Sequence, residues 1–351
     1  MNAPTPAKLP EYLEALRFPR AVLMGCSDDW AKAVSELPQS LNVRFPASTS
    51  SREVISIMID KSRFSEMLQQ VGVPRPNTRL LRSLDEMAAQ PEDCYSGTFL
   101  KPLNSSLQNS VKGFIIQGKH HAGRIMQRSL RTGQLRFPIL LQEYIPGPVH
   151  NQYLLDGFVD RRGRVCALMA RRKLRMSPPV LGNTSFCETV GLNEVQRAVD
   201  ALRMILEWVH YRGIFNAEFK YDDRDDQFKI IELNARPWWF VEFATRCGMN
   251  VCHMAYRDAL DLPVQTVSSY ATGRRCAYLL PDFAALCKSK PGMNGLIGWL
   301  RTLRGTQDLL YNWADPKPGV SAFLSSLKRR LVFSPIGRGF FGFRGDRDAR
   351  P

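Results

Sequence analysis

The stretch NAEFKYDDRDDQFKIIELNAR, residues 216–236, sets carboxylates and amides at a two-residue spacing. A period of two places Asn216, Glu218 and Lys220 on one face of a first strand, and Glu232 and Asn234 on one face of a second. The polar turn is centred near Asp225, so an antiparallel register sets Glu218 opposite Glu232 and Asn216 opposite Asn234. Facing like charges destabilise a solvated sheet by roughly 0.2–1 kcal/mol, and by more where water is excluded. Two arrangements relieve the repulsion. Either the hairpin is a solvated edge whose glutamates splay apart, or a hard divalent cation, Mg2+ or Mn2+, binds the carboxylate and amide oxygens.

The elements that must position this hairpin follow from patterning. FPRAVLMGC (18–26) reads as a buried strand, and SDDWAKAVSEL as a helix with a Ser/Asp start. Asp60 begins a helix that runs to about Gln70 and ends at Gly72 and two prolines. SGTFLKP and VKGFIIQ read as strands around the small polar loop NSSLQNS, followed by a helix through HAGRIMQRSLRTG and the apolar strand FPILLQEY. HNQYLLDGFVDRRGRVCALMARRKLR is a hairpin around DRRG. Residues 194–210 carry apolar side chains at helical spacing, and PWWFVEFATRCG reads as a helix with Pro237 in its first turn.

Composition narrows the function classes. A chain of 351 residues with 44% hydrophobic residues buries a sizeable core divided into lobes. No apolar run reaches the length of a membrane span, and the first residues lack a secretory apolar region, so a cytoplasmic location is expected. Eight cysteines without a CxxC pair are expected as reduced thiols, and five histidines without HExxH disfavour a zinc enzyme. The net charge of +15 favours polyanionic partners, yet no nucleic-acid motif accompanies it, so solvated faces and a phosphate-handling site are the expected readings. In the tail, aromatic residues interleave with arginines in LVFSPIGRGFFGFRG, a pattern suited to weak contact with polyanions or a membrane surface.

The order strand, lysine, polar loop, strand, then an apolar strand ending in Glu-Tyr, a long hairpin, a helix and an acidic hairpin ending in IELNARP resembles the ATP-grasp superfamily of ATP-dependent carboxylate ligases. The resemblance spans roughly residues 20–260 and implies an α/β (α+β) fold of two lobes with ATP between them. The implied divisions are a shortened N-terminal segment (1–59), a small lobe (60–140), a large lobe (141–265) and a C-terminal appendage (266–351). It further implies Mg-ATP as cofactor and substrate, with Glu218, Glu232 and Asn234 on the metal. Lys61 and Lys101 would reach the phosphates, with Ser105 in the phosphate loop. Gln142, Glu143, Tyr144 and Ile145 would form the hinge that reads adenine and ribose. Arg236 would stabilise the acyl-phosphate side, and Lys173 and Arg175, expected on one strand face, would compensate the transferring phosphoryl group. For Lys61 an ordinary surface-helix lysine, for 140–148 an ordinary edge strand, and for 171–175 a basic exposed strand are the competing readings.

The implied activity is amide formation between a small-molecule carboxylate and an amine through an acyl phosphate. A carboxylase or carbamoyl-phosphate-type enzyme using bicarbonate, or a non-catalytic ATP-binding relative, are the alternatives. Two features depart from the family pattern. The phosphate loop carries serines where glycines are usual, and the segment before Lys61 is too short for a full preceding α/β domain. Specificity is expected around Trp238, Trp239 and Phe240.

Overall fold

The computed structural model describes residues 5–103, 113–179, 181–289, 292–312 and 314–332. Two sheets organise the chain. The first contains β1 (Thr78–Leu81), β2 (Thr98–Pro102), β3 (Phe114–Ile116) and β4 (Ile139–Glu143) in the antiparallel order β1-β4-β2-β3. Its inward side chains Leu81, Leu100, Ile116, Ile139 and Leu141 pack on Ala122 and Met126 of the helix Lys119–Thr132. β3 approaches β2 so closely at Gly113 that a Cβ there would lie 2.2 Å from the Leu100 carbonyl oxygen, and the residue's φ of +142° also suits glycine.

The second sheet has seven strands: β5 (Gln152–Val159), β6 (Val165–Ser177), β7 (Asn183–Val190), β8 (Gly213–Asp222), β9 (Gln227–Asn234), β10 (Arg275–Ala277) and β11 (Thr306–Asp308). Their order is β11-β10-β7-β6-β5-β8-β9, antiparallel except for the β10–β11 pair. The β5–β6 turn closes where Asp160 Oδ1 accepts the backbone N–H groups of Arg162 and Arg164 at 3.0 and 2.9 Å.

Alternation divides this sheet into two faces with different tasks. Leu155, Ala170, Phe215, Ala217, Ile230 and Leu233 form one face. They pack against Val199, Leu202, Ile205 and Leu206 of the helix Gln196–Trp208 and against Phe64 and Leu68 of the helix Lys61–Val71. Each fully buried Leu, Ile, Val or Phe side chain among them contributes roughly 1.5–3 kcal/mol. The opposite face carries the polar residues described below beside a second apolar core that includes Phe158, Met169 and Ile214. Asp60 caps the helix Lys61–Val71 by accepting the N–H groups of Ser62 and Arg63 at 2.8 and 3.2 Å, and Gly72 ends it with φ +77°.

Several expectations are corrected. Residues 18–26 form no strand. Among the described residues they find only two backbone bonds to the 44–46 segment, from Ala21 to Arg44 and from Leu23 to Pro46, and they remain half-buried or exposed. The apolar N-terminal core comes instead from Leu9, Leu13, Val34, Leu37, Leu41 and Phe45. Pro237 does not open a helix: its carbonyl accepts from Arg236 at 3.3 Å while Val241 N–H turns back to Trp238, so the helix runs Val241–Arg246. The division at 265/266 does not separate two bodies. β10 pairs with β7, Cys276 opposite Cys187, and Cys276 and Leu309 join the core formed by Met169, Trp238 and Phe243. All eight cysteines are free, and four of them are buried.

Candidate functional site

The polar face of the large sheet is built in cross-strand rows. Glu218 lies opposite Glu232 on one side and Leu154 on the other; Asn216 lies between Asn234 and Asp156. The turn itself, pairing Asp222 with Gln227, would set Glu218 against Ile231. A register shift between Glu218 and Phe219 restores the Glu218–Glu232 pair, a β-bulge that re-aims the side chains beyond it.

Each acidic group has a cationic neighbour. Lys173, buried on β6, donates to Glu218 Oε2 at 2.8 Å. Arg236 Nε donates to Asp28 Oδ1 at 2.6 Å, and its Nη2 donates to Asn234 Oδ1 at 3.1 Å. The small lobe and its preceding helix bring two more cations. Lys101, on β2, is only 7% exposed. Burial, and then the neighbouring Lys61, push its pKa down to about 8 against the opposing pull of Glu232. Lys61, the first residue of its helix, donates to the Leu103 carbonyl at 3.2 Å. Its pKa is lowered by burial and supported by Glu232, Asp28 and Asp60. Lys61, Lys101, Glu232 and Asp28, from four separate elements, thus lie near enough for Lys61 to feel the other three charges, a setting suited to a bound polyanion.

Residues 142–145 lie where β4 leaves the small sheet. Gln142 donates from Nε2 to Thr78 Oγ1 at 2.9 Å, and Ile145 is buried. The N–H groups of Glu143 and Tyr144 are taken by the carbonyls of Asn77 and Gly97 at 2.7 and 2.8 Å. Neither therefore offers a free backbone donor to an adenine edge. Glu143 is also tied to the acidic hairpin's turn: it pairs with Arg224 and lies 3.6 Å from Lys229, which bonds Asp222 at 2.7 Å. Asp222, held by Arg224 and Lys229, has its pKa pulled well below the usual carboxylate range. The Tyr144 ring lies 5.3 Å from Lys220 Nζ.

Arg175 is not brought to the carboxylates. Register shifts on either side of it break the alternation with Lys173. Its guanidinium instead binds Asp282 of the helix Leu279–Lys288 at 2.7–3.0 Å, lying over the Phe186 ring. Asp282 also accepts from Ser185 and from Trp299 Nε1, each at 2.7 Å. Ser105 and the basic tail beyond residue 332 lie outside the described residues. Among the described residues, no helix is long and apolar enough to cross a membrane.

Three residues of the site escaped the sequence reading. Asp28 sits in the pattern of a helix start, and nothing local marks a partner 208 positions away. Asp156 and Arg171 form a fully buried ion pair beneath the acidic rows, with Arg171 5.8 and 5.4 Å from the Trp238 and Phe240 rings. A charged residue on the inward face of the apolar run YLLDGFV was the available signal for Asp156.

No cluster of three or more His, Cys, Asp or Glu suited to a metal occurs among the described residues. The residues at β8–β9 nonetheless fit a hard divalent cation. Glu218 and Glu232 are both half-buried, and with the Asn234 amide they supply oxygen donors only; water and phosphate oxygens would complete an octahedral shell.

No family model matches the chain. Its sequence is similar to D-aspartate ligase of Enterococcus faecium, 24% identical over 262 residues that cover 72% of this chain and 62% of the relative. It is also similar to D-alanine–D-alanine ligase of Acidiphilium cryptum, 23% identical over 222 residues covering 58% of this chain and 67% of that one. The chain spans less than two thirds of that D-aspartate ligase. Among solved structures, carboxyaminoimidazole ribonucleotide synthase of Aspergillus clavatus, complexed with ATP, superposes with a TM-score of 0.58 at 14% identity. That superposition covers 76% of this chain and 67% of the other. With two sheets arranged in this order and these similarities in sequence and fold, the chain has an ATP-grasp-like fold.

Proposed function

We propose that this protein is an ATP-dependent carboxylate–amine ligase that works through an acyl phosphate. The observation that carries the reading is the pairing of Glu218 with Glu232 and of Asn216 with Asn234 across β8–β9, with Lys61 bonded to the Leu103 carbonyl beside the Lys101 strand and both lysines within electrostatic reach of Glu232. Cations from one side and oxygen donors from the other are what a triphosphate with a divalent cation requires. The sequence similarity to ligases that bear amino-acid names supports the carbon–nitrogen class.

In this reading a carboxylate oxygen of the first substrate attacks the γ-phosphorus of ATP, and the bond to the β–γ bridging oxygen breaks to release ADP. An unprotonated amine then attacks the acyl carbon. Inorganic phosphate leaves with the electrons of the C–O bond, and the amine nitrogen loses a proton as the amide forms. Lys61 and Lys101 hold the phosphates, and their charge disperses the charge developing on the leaving group. Arg236, held between Asp28 and Asn234, would stabilise the acyl phosphate. Lys173 holds Glu218 in place. Glu218, Glu232 and Asn234 would hold Mg2+, which when bound neutralises phosphate charge. The hinge from Gln142 to Ile145 borders the nucleoside end.

The test is ADP release from Mg-ATP over pooled carboxylates and amines, with bicarbonate as a separate arm and mass spectrometry of the product. Turnover that requires both a carboxylate and an amine is expected. Turnover with bicarbonate alone would place the protein with the carboxylases, and no turnover with any pool would overturn the ligase reading. Glu232→Gln is expected to remove Mg-dependent turnover while leaving the fold intact.

A further inference from the structure

Beside the paired glutamates runs a chain of side-chain hydrogen bonds whose direction is set at both ends. Arg171 donates from Nε to Asp156 Oδ2 in a pair that is fully buried. Asn216 donates from Nδ2 to Asp156 Oδ1 at 2.6 Å, and Asn234 donates from Nδ2 to Asn216 Oδ1 at 3.2 Å. Arg236 then donates from Nη2 to Asn234 Oδ1 at 3.1 Å. A carboxylate can only accept and a guanidinium can only donate. With an acceptor at one end and a donor at the other, neither amide can turn over without opposing two donors or two acceptors.

We infer that Asp156, paired with Arg171, is a positioning residue for the cation site: through Asn216 it fixes the Asn234 amide so that its oxygen, not its NH2, is the group presented beside Arg236. The inference rests on the reading of Asn234 as a cation ligand. An amide oxygen can ligate a hard cation, whereas an NH2 group in its place would repel one. Groups behind a metal's direct ligands commonly set ligand orientation in this way. Burial raises the Asp156 carboxyl above its ordinary value, with the Arg171 guanidinium and the Asn216 amide opposing. A buried Arg–Asp pair contributes little net stability relative to apolar residues of the same volume, so the orienting effect is separable from folding.

Two variants separate it. Arg171→Met/Asp156→Leu removes both charges together and leaves no lone buried ion, while Asn216→Ala breaks the chain with the ion pair kept. The readouts are the Mn2+ midpoint for binding of a non-hydrolysable ATP analogue, by calorimetry, and the melting temperature. Both variants are expected to raise the midpoint about tenfold or more. A purely structural role would lower the melting temperature and leave the midpoint in place, and a midpoint within twofold of wild type in either folded variant overturns the inference. Failure of the wild type to bind the Mn2+ analogue would strike the ligase reading instead. Side-chain amide hydrogen exchange in the metal-free wild type needs no nucleotide: the bonded N–H groups of Asn216 and Asn234 are expected to exchange slowly, and exchange at the rate of free asparagine overturns the fixed polarity.

Discussion

Lys101 makes nucleotide binding depend on pH in a way that can be worked out from its surroundings. In the free protein its pKa is lowered from 10.5 to about 8, first by burial, then by Lys61, with Glu232 opposing. A bound triphosphate supplies negative charge and returns the ammonium toward its ordinary range, so binding takes up a proton wherever free Lys101 is neutral. At pH 7 about nine free molecules in ten already carry the charge, whereas at pH 9 only about one in eleven does. Affinity for Mg-ATP or its non-hydrolysable analogue is therefore expected to weaken about tenfold between pH 7 and 9, or ~1.4 kcal/mol. Calorimetry in buffers of different ionisation enthalpy would show the uptake directly. Lys101→Arg, whose charge does not titrate in this range, is expected to lose this share of the dependence. Lys61 shifts in the same direction and steepens the wild-type slope. The sign for folding is opposite to that of binding. Because the folded-state pKa lies below the unfolded one, the unfolded chain holds more protons between about 8 and 10.5, and stability rises with pH across that window. A wild-type dissociation constant that stays within twofold from pH 7 to 9, or an equal slope in Lys101→Arg, would refute the placement of Lys101 against the phosphates.

Other perturbations probe separate parts of the molecule. Asp282→Ala strands Arg175 and removes the acceptor of Ser185 and Trp299, so a loss of roughly 3 kcal/mol is expected in denaturant unfolding, against a near-neutral effect for Arg304→Ala. Leu202→Ala, in the helix under the apolar face of the large sheet, is expected to lower stability by about 2–5 kcal/mol, with the Mg-ATP affinity of the folded fraction unchanged. Gly113→Ala forces a Cβ against the Leu100 carbonyl and is expected to lower the melting temperature and weaken nucleotide binding together, since β2 carries Lys101. Asp28→Asn loosens Arg236 and is expected to lower kcat more than it raises KM for ATP.

The sequence by itself determined the pieces whose partners are near in the chain. Alternation placed Glu218 and Asn216 on one face of β8, and the capping Asp60 and terminating Gly72 bounded the helix that begins with Lys61. These are local consequences of strand period and backbone geometry, which depend on neighbouring residues alone. Tertiary structure decided what those side chains meet. The turn's pairing would have placed Ile231 opposite Glu218, and a bulge supplied the register that sequence symmetry had suggested. Shifts around Arg175 sent it to Asp282, 107 positions away, and residues 266–309 proved to complete the large sheet because β10 found its partner in β7. Asp28 reached Arg236 from the far end of the chain, and Asp156 reached Asn216 from the neighbouring strand. Periodicity states which way a side chain points from its own backbone. Which distant group lies in that direction depends on how sheets and helices stack, and that is settled by burial over the whole molecule.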